Sequence, residues 1–214
     1  PDGTTRARRG LPAVVLSRAI FNGAFMGSIT FVPLLLNRER GVALTTAGAV
    51  LALASLGWST GSWWQGHSRL RGPTQRARLV IRGAGLLTTG LVALTVLALW
   101  EGAPLPALAA ALAIGGLGMG VGSTTLSVLI LDLTPEAEHG RASAALQLAD
   151  VLGTVIGIAA ATALFAAVHR DGESTAYVVI WAALAAVAAV GLVVAPRCAP
   201  AAASAREDLP ATKP

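Results

Sequence analysis

Six long apolar runs constrain this 214-residue chain more than any other feature of its sequence. Each run approaches or exceeds the roughly 20 residues that an α-helix needs to cross the hydrocarbon core of a bilayer. The runs are rich in Ala, Leu, Val and Gly and show no alternation of apolar and polar residues, which favours helices over strands. The predicted spans are 11–36, 42–65, 79–100, 104–131, 142–168 and 175–195.

The composition supports integration into a membrane. Charged residues make up only 13% of the chain, whereas a soluble domain carries about 25%. We therefore predict an all-α membrane protein with a cytoplasmic polar lead at 1–10, one six-helix bundle at 11–195 and a disordered cytoplasmic tail at 196–214. Because the first residue is Pro and not Met, we expect a piece of a longer product or a processed one.

The basic residues indicate how the chain is oriented. Three of them would lie on the outer side, namely Arg38, Arg40 and Arg170. Most of the others flank the opposite ends of the runs: Arg6, Arg8, Arg9, Arg69, Arg71, Arg76, Arg78, Arg82, Arg141, Arg197, Arg206 and Lys213. Cytoplasmic loops are enriched in Lys and Arg, so both termini are predicted to be cytoplasmic in a multi-pass protein of the cell membrane. This distribution explains the positive charge better than nucleic-acid binding does.

An internal repeat divides the chain into two halves. The pattern Gly-x-x-x-Gly-Ser-x-Thr occurs at 23–30 and again at 118–125, an offset of 95 residues. A second pattern, Leu-Gly-x-x-x-Gly, occurs at 56–61 and at 152–157, an offset of 96 residues. Since three spans separate the copies, they run in opposite directions through the membrane. Such a 3+3 inverted repeat is typical of secondary transporters.

Pairs of glycines four residues apart recur within the runs. The plain interpretation is close helix packing, because helices without Cβ atoms approach each other closely; smooth contacts could also slide during alternating access. The pairs are Gly23/Gly27, Gly57/Gly61, Gly116/Gly120, Gly118/Gly122 and Gly153/Gly157. Pro33, near the outer end of the first run, predicts a kink that could serve as a gate or be only local.

Ionisable groups inside the spans are the best candidates for function, because each costs a few kcal/mol in the bilayer. Arg18 and Asp150 lie at similar depth in the first and fifth runs, and Asn22 follows Arg18 by one turn. We expect Arg18 and Asp150 to form a pair or to bracket a cavity, with Asp150 coupling transport to protons or cations. Alternatives are snorkelling of Arg18 to the headgroups, a structural pair or cap for Asp150, and Asp132 as the partner of Arg18.

The remaining candidates extend this polar site. Gln147 and Thr154 form a stripe with Asp150 on the fifth run, and Trp58 lies deep enough to stack on a ligand. In the repeat, Arg18 aligns with Ala113 and Asp150 with Ala54, so neither charge has a counterpart. The sequence contains no common enzyme motif, and its single cysteine predicts no Cys-based metal site. No cofactor is expected, and a proton gradient is the expected energy source.

Several segments resemble the carboxy-terminal six-helix half of a major facilitator superfamily transporter, above all the bacterial drug-efflux type. They are FVPLLLNRERG at 31–41, AGAVLALASLGWSTGSWWQG at 47–66 and LTPEAEHGRASAALQLADVLGTVIGIA at 133–159. Gly66 and Arg71 also fit the family's Gly-x-x-x-Asp-Arg-x-Gly-Arg connection, but Leu70 occupies the acidic position. The resemblance covers 11–195 and implies that the first and fourth helices line a central cavity.

The resemblance implies a secondary active transporter that works by alternating access. We expect proton-coupled export of small hydrophobic or cationic molecules, with the lipid bilayer, a solute and either the missing amino-terminal half or a second copy as partners. Nutrient uptake by the same fold and a non-transporting membrane scaffold are the alternatives.

Overall fold

The computed structural model describes residues 3–68, 70, 72–100, 102–170 and 174–200, and these ranges contain six long helices and no strand. The helices are α1 (Leu11–Thr30), α2 (Leu44–Gly66), α3 (Pro73–Leu99), α4 (Leu105–Asp132), α5 (His139–Val168) and α6 (Thr175–Val194). The prediction of an all-α membrane fold is confirmed.

Five segments in the described part of the chain are long and apolar enough to cross a membrane: Leu11–Glu39, Pro73–Leu99, Leu105–Asp132, Glu136–Val168 and Thr175–Cys198. The sixth helix, α2, has 23 residues and is long enough to span. Its hydropathy is lower because hydroxyl and amide side chains, such as those of Ser55, Ser59 and Gln65, interrupt the apolar sequence. The predicted run at 42–65 therefore forms a helix of spanning length but of weaker apolar character.

The first span is interrupted near its end. The regular helix stops at Thr30, a three-residue helical turn follows at Val32–Leu34, and a π-helical turn completes the span at Leu35–Glu39. The break falls two residues before Pro33, which lacks an N–H and crowds the preceding turn. Helical structure thus continues three residues beyond the predicted end at 36.

Predicted boundaries differ from the structure by a few residues, most of all at the start of α3. Helix α3 begins at Pro73, six residues before the predicted run at 79–100, because a proline in the first turn and the basic residues that follow it are compatible with a helix emerging from the bilayer. The predicted tail also starts later than residue 196, since Ala195–Cys198 forms a 3₁₀ turn whose Cys198 side chain is buried. Residues 201–214 lie outside the described residues.

The packing of the helices follows the two-fold repeat. Helix α1 packs mainly against α5, and α4, which corresponds to α1, packs against α2, which corresponds to α5. Helix α3 packs against α6, its own counterpart, and α1 contacts α4 near the pseudo-two-fold axis. Helix α4 also packs extensively against α3, so it makes more contacts within the bundle than α1 does.

Glycines make these contacts possible. A Cβ added at Gly23 would lie 2.8 Å from the carbonyl oxygen of Gly153, and one at Gly27 would lie 2.9 Å from that of Gly157. On the other side of the bundle, Gly57 and Gly61 approach the backbone of α4 still more closely. The glycine pairs of α1, α2 and α5 therefore lie in helix interfaces, as the packing interpretation requires.

The repeated glycines of α4 do not have equivalent neighbours. Gly118 and Gly122 align with Gly23 and Gly27 in sequence, but they face α3 at Gly83, and Gly122 also faces the Phe21 ring. The contact of α4 with α2 is made instead by Gly116 and Gly120. The sequence pattern predicts the architecture of the repeat, yet α4 uses the neighbouring pair of glycines for the equivalent interface.

The two ends of the bundle are tied together differently. At the end where both termini meet, Gly10 N donates to Arg197 O at 2.8 Å, and Arg76 forms an ion pair with Asp132. We call this the basic end, because Arg76, Arg78, Arg82 and Arg141 lie there. At the opposite end, the connections of α1 to α2 and of α3 to α4 meet.

Arg40 joins the connections at the opposite end. Its guanidinium donates to the carbonyl oxygens of Leu97, Trp100 and Ala103 at 3.0, 3.2 and 3.0 Å. Leu97 lies in the last turn of α3, so a cation caps carbonyl groups that have no partner within the helix. Burial lowers the pKa of Arg40 from its usual value, yet a guanidinium stays charged at neutral pH.

Replacing Arg40 by glutamine (R40Q) should lower the free energy of unfolding by about 2 kcal/mol, since three carbonyl groups lose a charged donor. Reversible unfolding of the purified chain in detergent measures the loss. The matched control is R38Q, because Arg38 is exposed two residues away, and it should change the stability by less than about 0.5 kcal/mol. Equal effects of the two substitutions would contradict a capping role.

Candidate functional site

The membrane interior contains an ion pair between α1 and α5. The Arg18 guanidinium binds the Asp150 carboxylate through one edge: Nε donates to Oδ1, and Nη2 donates to Oδ2 at 2.8 Å. This two-point geometry is the strongest arrangement for an arginine and a carboxylate. The side chains are only 15% and 21% exposed, so neither charge is fully solvated.

Asn22 completes the shell of Asp150 on α1. Its amide Nδ2 donates to Asp150 Oδ1 and to the carbonyl oxygen of Arg18, the latter at 3.3 Å. The spacing of four residues puts Asn22 directly above Arg18 on one helix face. Oδ1 of Asp150 thus accepts from two side chains at once, which holds the carboxylate in a fixed orientation.

Helix α4 provides the third side of the site. Nη1 of Arg18 donates to the carbonyl oxygen of Ser123 at 2.6 Å and to Ser127 Oγ at 3.2 Å. Ser127 Oγ in turn donates to Ser123 O at 3.1 Å. Arg18 therefore links α1, α4 and α5 at one level of the bundle.

Sequence reasoning missed both serines. Ser123 belongs to the repeated Gly-x-x-x-Gly-Ser-x-Thr string. Its hydrogen bond with Arg18 uses the backbone carbonyl oxygen, however, and a pattern of side chains does not predict such a bond. Ser127 lies four residues further along α4, on the same face as Ser123. This spacing is a signal that could have predicted a polar stripe on α4.

The structure brings together some of the predicted residues and leaves out others. Arg18, Asn22 and Asp150 lie in one network, and Asp132 pairs with Arg76 and not with Arg18. Gln147 is exposed and Thr154 is half-buried, and neither forms a side-chain hydrogen bond within the described part of the chain. Among the residues that the structure describes, Asp150 is therefore the member of the predicted α5 stripe that joins the network.

Trp58 lies apart from the charged network. It is half-buried on α2, and its ring meets that of Phe25 edge to face, with centroids 5.7 Å apart. This contact connects α2 with α1. Stacking of Trp58 on a ligand stays a prediction.

The link between α1 and α5 at this level is an ion pair, so it depends on both charges. A proton that binds the Asp150 carboxylate removes its charge and leaves the Arg18 guanidinium without a counter-ion, so the link between α1 and α5 weakens. Residues 3–68, 70, 72–100, 102–170 and 174–200 contain no cluster of three His, Cys, Asp or Glu side chains that could hold a metal ion.

Comparison with known proteins identifies the family. The family model for the Major Facilitator Superfamily matches residues 76–213, more than half of the chain. The chain belongs to the major facilitator superfamily. No curated protein sequence matches it significantly. Membership confirms the resemblance to this superfamily that was predicted from the sequence.

Solved structures show the same fold for this superfamily chain. The inward-open xylose transporter XylE from E. coli superposes with a TM-score of 0.72 at 17% identity, over 85% of this chain and 46% of that one. The proton:xylose symporter XylE bound to 6-bromo-6-deoxy-D-glucose gives 0.70 at 19% identity, over 86% and 44%. The chain thus spans less than half the length of these transporters.

Proposed function

We propose that this chain is one half of a proton-coupled exporter of small hydrophobic or cationic molecules, with Asp150 as the residue that exchanges the proton. The observation that carries the proposal is the ion pair of Arg18 and Asp150 within the membrane-spanning bundle. Charged residues inside membrane helices raise the free energy of insertion, and they are typically found on ion and substrate pathways. A pair that joins three helices connects protonation to helix position.

The proposed mechanism follows from what each residue binds. With Asp150 ionised, Arg18 holds α1 against α5 and is itself anchored to Ser123 and Ser127 of α4. Protonation of Asp150 releases the Arg18–Asp150 contact, while Asn22 can still bind the carboxyl group. The change in charge favours a different arrangement of α1 and α5, and alternating access uses that difference.

The surface of α5 supports the need for a partner bundle. Only 17% of its apolar stretch is buried within the chain, compared with 61% for the spans that contain α1 and α4. The exposed side chains include Leu148, Val151, Leu152, Val155 and Ile156. We propose that a second six-helix bundle, the amino-terminal half or another copy, faces α5 and completes the cavity, with the basic end in the cytoplasm of a cell-membrane protein.

The test is proton–solute exchange in liposomes. The protein that contains this chain, together with its other half, is reconstituted with a pH gradient, and ethidium serves as a hydrophobic cationic probe. Wild-type protein should move ethidium against its gradient at the expense of the pH gradient. D150N should reduce the flux to the leak rate of empty liposomes, because an amide cannot exchange the proton.

The controls separate coupling from folding. E136Q removes an exposed carboxylate near the start of α5 and should retain the wild-type flux. Normal flux in D150N would show that Asp150 does not couple transport. Solute movement in the same direction as protons would favour nutrient uptake, and the absence of flux with any solute would favour a non-transporting scaffold.

A further inference from the structure

An apolar groove of about 300 Å³ lies between α2, α3 and α4 on the surface of the bundle. Its lining residues are Thr60, Trp63, Trp64, Leu86, Leu117 and Val121. Trp63 and Trp64 are 64% and 46% exposed, which is high for the largest apolar side chains. Since these helices span a membrane, the groove opens toward lipid, close to the basic end where α2 terminates at Gly66.

Two arginines extend the groove toward the basic end. Arg82 lies one helical turn below Leu86, and Arg78 lies one turn below Arg82, so the three residues follow one another on adjoining faces of α3. Helix side chains tilt toward the N-terminus, which directs both arginines to the basic end. Both are exposed, and neither forms an ion pair within the described ranges, whereas Arg76 pairs with Asp132.

We propose that this groove binds an anionic glycerophospholipid, with an acyl chain along Trp63, Leu86 and Leu117 and the phosphate at Arg78 and Arg82. Tryptophans at the level of the headgroups flank such sites, and basic pockets between membrane helices bind anionic headgroups. The charge complementarity distinguishes this lipid from a zwitterionic one. The proposal does not depend on the transport function proposed above.

A second groove offers a comparison, because its lining lacks tryptophan and arginine. It has about 330 Å³ and lies between α3 and α6, where Ala, Val and Thr side chains line it. Neither an aromatic side chain nor an arginine contributes to that lining. An acyl chain could fit there, but nothing in the lining selects a headgroup, so we expect selectivity only at the groove of Trp63 and Trp64.

The experiment is quenching of tryptophan fluorescence by brominated lipids. The full chain in detergent micelles is titrated with brominated phosphatidylglycerol and, separately, with brominated phosphatidylcholine. Phosphatidylglycerol should quench at much lower mole fraction, and W63F/W64F should remove that part of the quenching. The mole fraction for half-quenching should rise roughly fivefold in R82Q and about 25-fold in R78Q/R82Q.

The matched control is R141Q, which removes an exposed arginine at the same end but on α5, away from the groove. It should leave the titration unchanged. Should the double variant fold poorly, the wild-type protein still decides, because high salt should weaken quenching by phosphatidylglycerol only. Equal quenching by both lipids, an unchanged titration in a folded R78Q/R82Q variant, or a second copy cross-linked across the groove would overturn the proposal.

Discussion

Replacing Arg18 by glutamine should lower the free energy of unfolding by about 3 kcal/mol. The substitution removes the partner of the Asp150 carboxylate, whose side chain is only 21% exposed, and breaking a buried pair from one side typically costs 3–5 kcal/mol. It also removes the donor to Ser123 O. The partial exposure places the expected effect at the lower end of that range. Reversible unfolding in detergent provides the measurement.

A double-mutant cycle distinguishes pairing from general damage. In R18Q/D150N both charges are absent, so most of the loss seen in R18Q should be recovered. The double variant should nevertheless fail in the proton-exchange assay, because its folded bundle has no carboxylate at this position. If R18Q/D150N is as unstable as R18Q, the cost arises from lost packing and the ion pair is not its cause.

Replacing Gly120 by alanine should destabilise the bundle by about 3 kcal/mol, because the added methyl group would lie under 3 Å from the carbonyl oxygen of Trp58 on α2. Backbone atoms cannot move aside as a side chain can, so α2 and α4 must separate. The loss should appear as a lower midpoint of thermal unfolding in detergent.

Gly48 offers a control of opposite sign. It lies in α2, it is exposed, and a Cβ there would meet no atom within 4 Å. G48A should therefore stabilise the chain by roughly 0.5–1 kcal/mol, through the higher helix propensity of alanine. Destabilisation of similar size in both variants would mean that the contact with Trp58 is not the reason.

The sequence predicted the architecture well because bilayer thickness and backbone hydrogen bonding leave few choices. Apolar runs of the right length had to be helices, and the repeat offset correctly anticipated that α1 and α4 occupy related positions. The contact of Arg18 with Asp150 was one of the expected arrangements, since unsolvated charges of opposite sign at similar depth attract each other.

What the sequence could not reveal depends on helix rotation and on backbone atoms. Whether Gly116 and Gly120 or Gly118 and Gly122 face α2 depends on how α4 is rotated about its axis. Both pairs have the same spacing, so the sequence pattern does not distinguish them. The bond from Arg18 to Ser123 O uses a group that every residue possesses. The pairing of Arg76 with Asp132 depends on how far α3 extends beyond the bilayer, which hydropathy does not determine.

The interface of α1 with α5 has two parts whose order along the helices has a mechanical consequence. Gly23 and Gly27 hold the backbones together toward the opposite end, while the bond from Arg18 to Asp150 lies about one turn nearer the basic end. The glycine contacts are fixed by the backbone, whereas the ion pair depends on the charges of two side chains. Without the ion pair, the close backbone contacts of the glycines alone would hold the two helices together at this level. In the repeat-related interface of α4 with α2, Ala113 and Ala54 occupy the places of the two charges. That interface therefore has no ion pair that a change of charge could break.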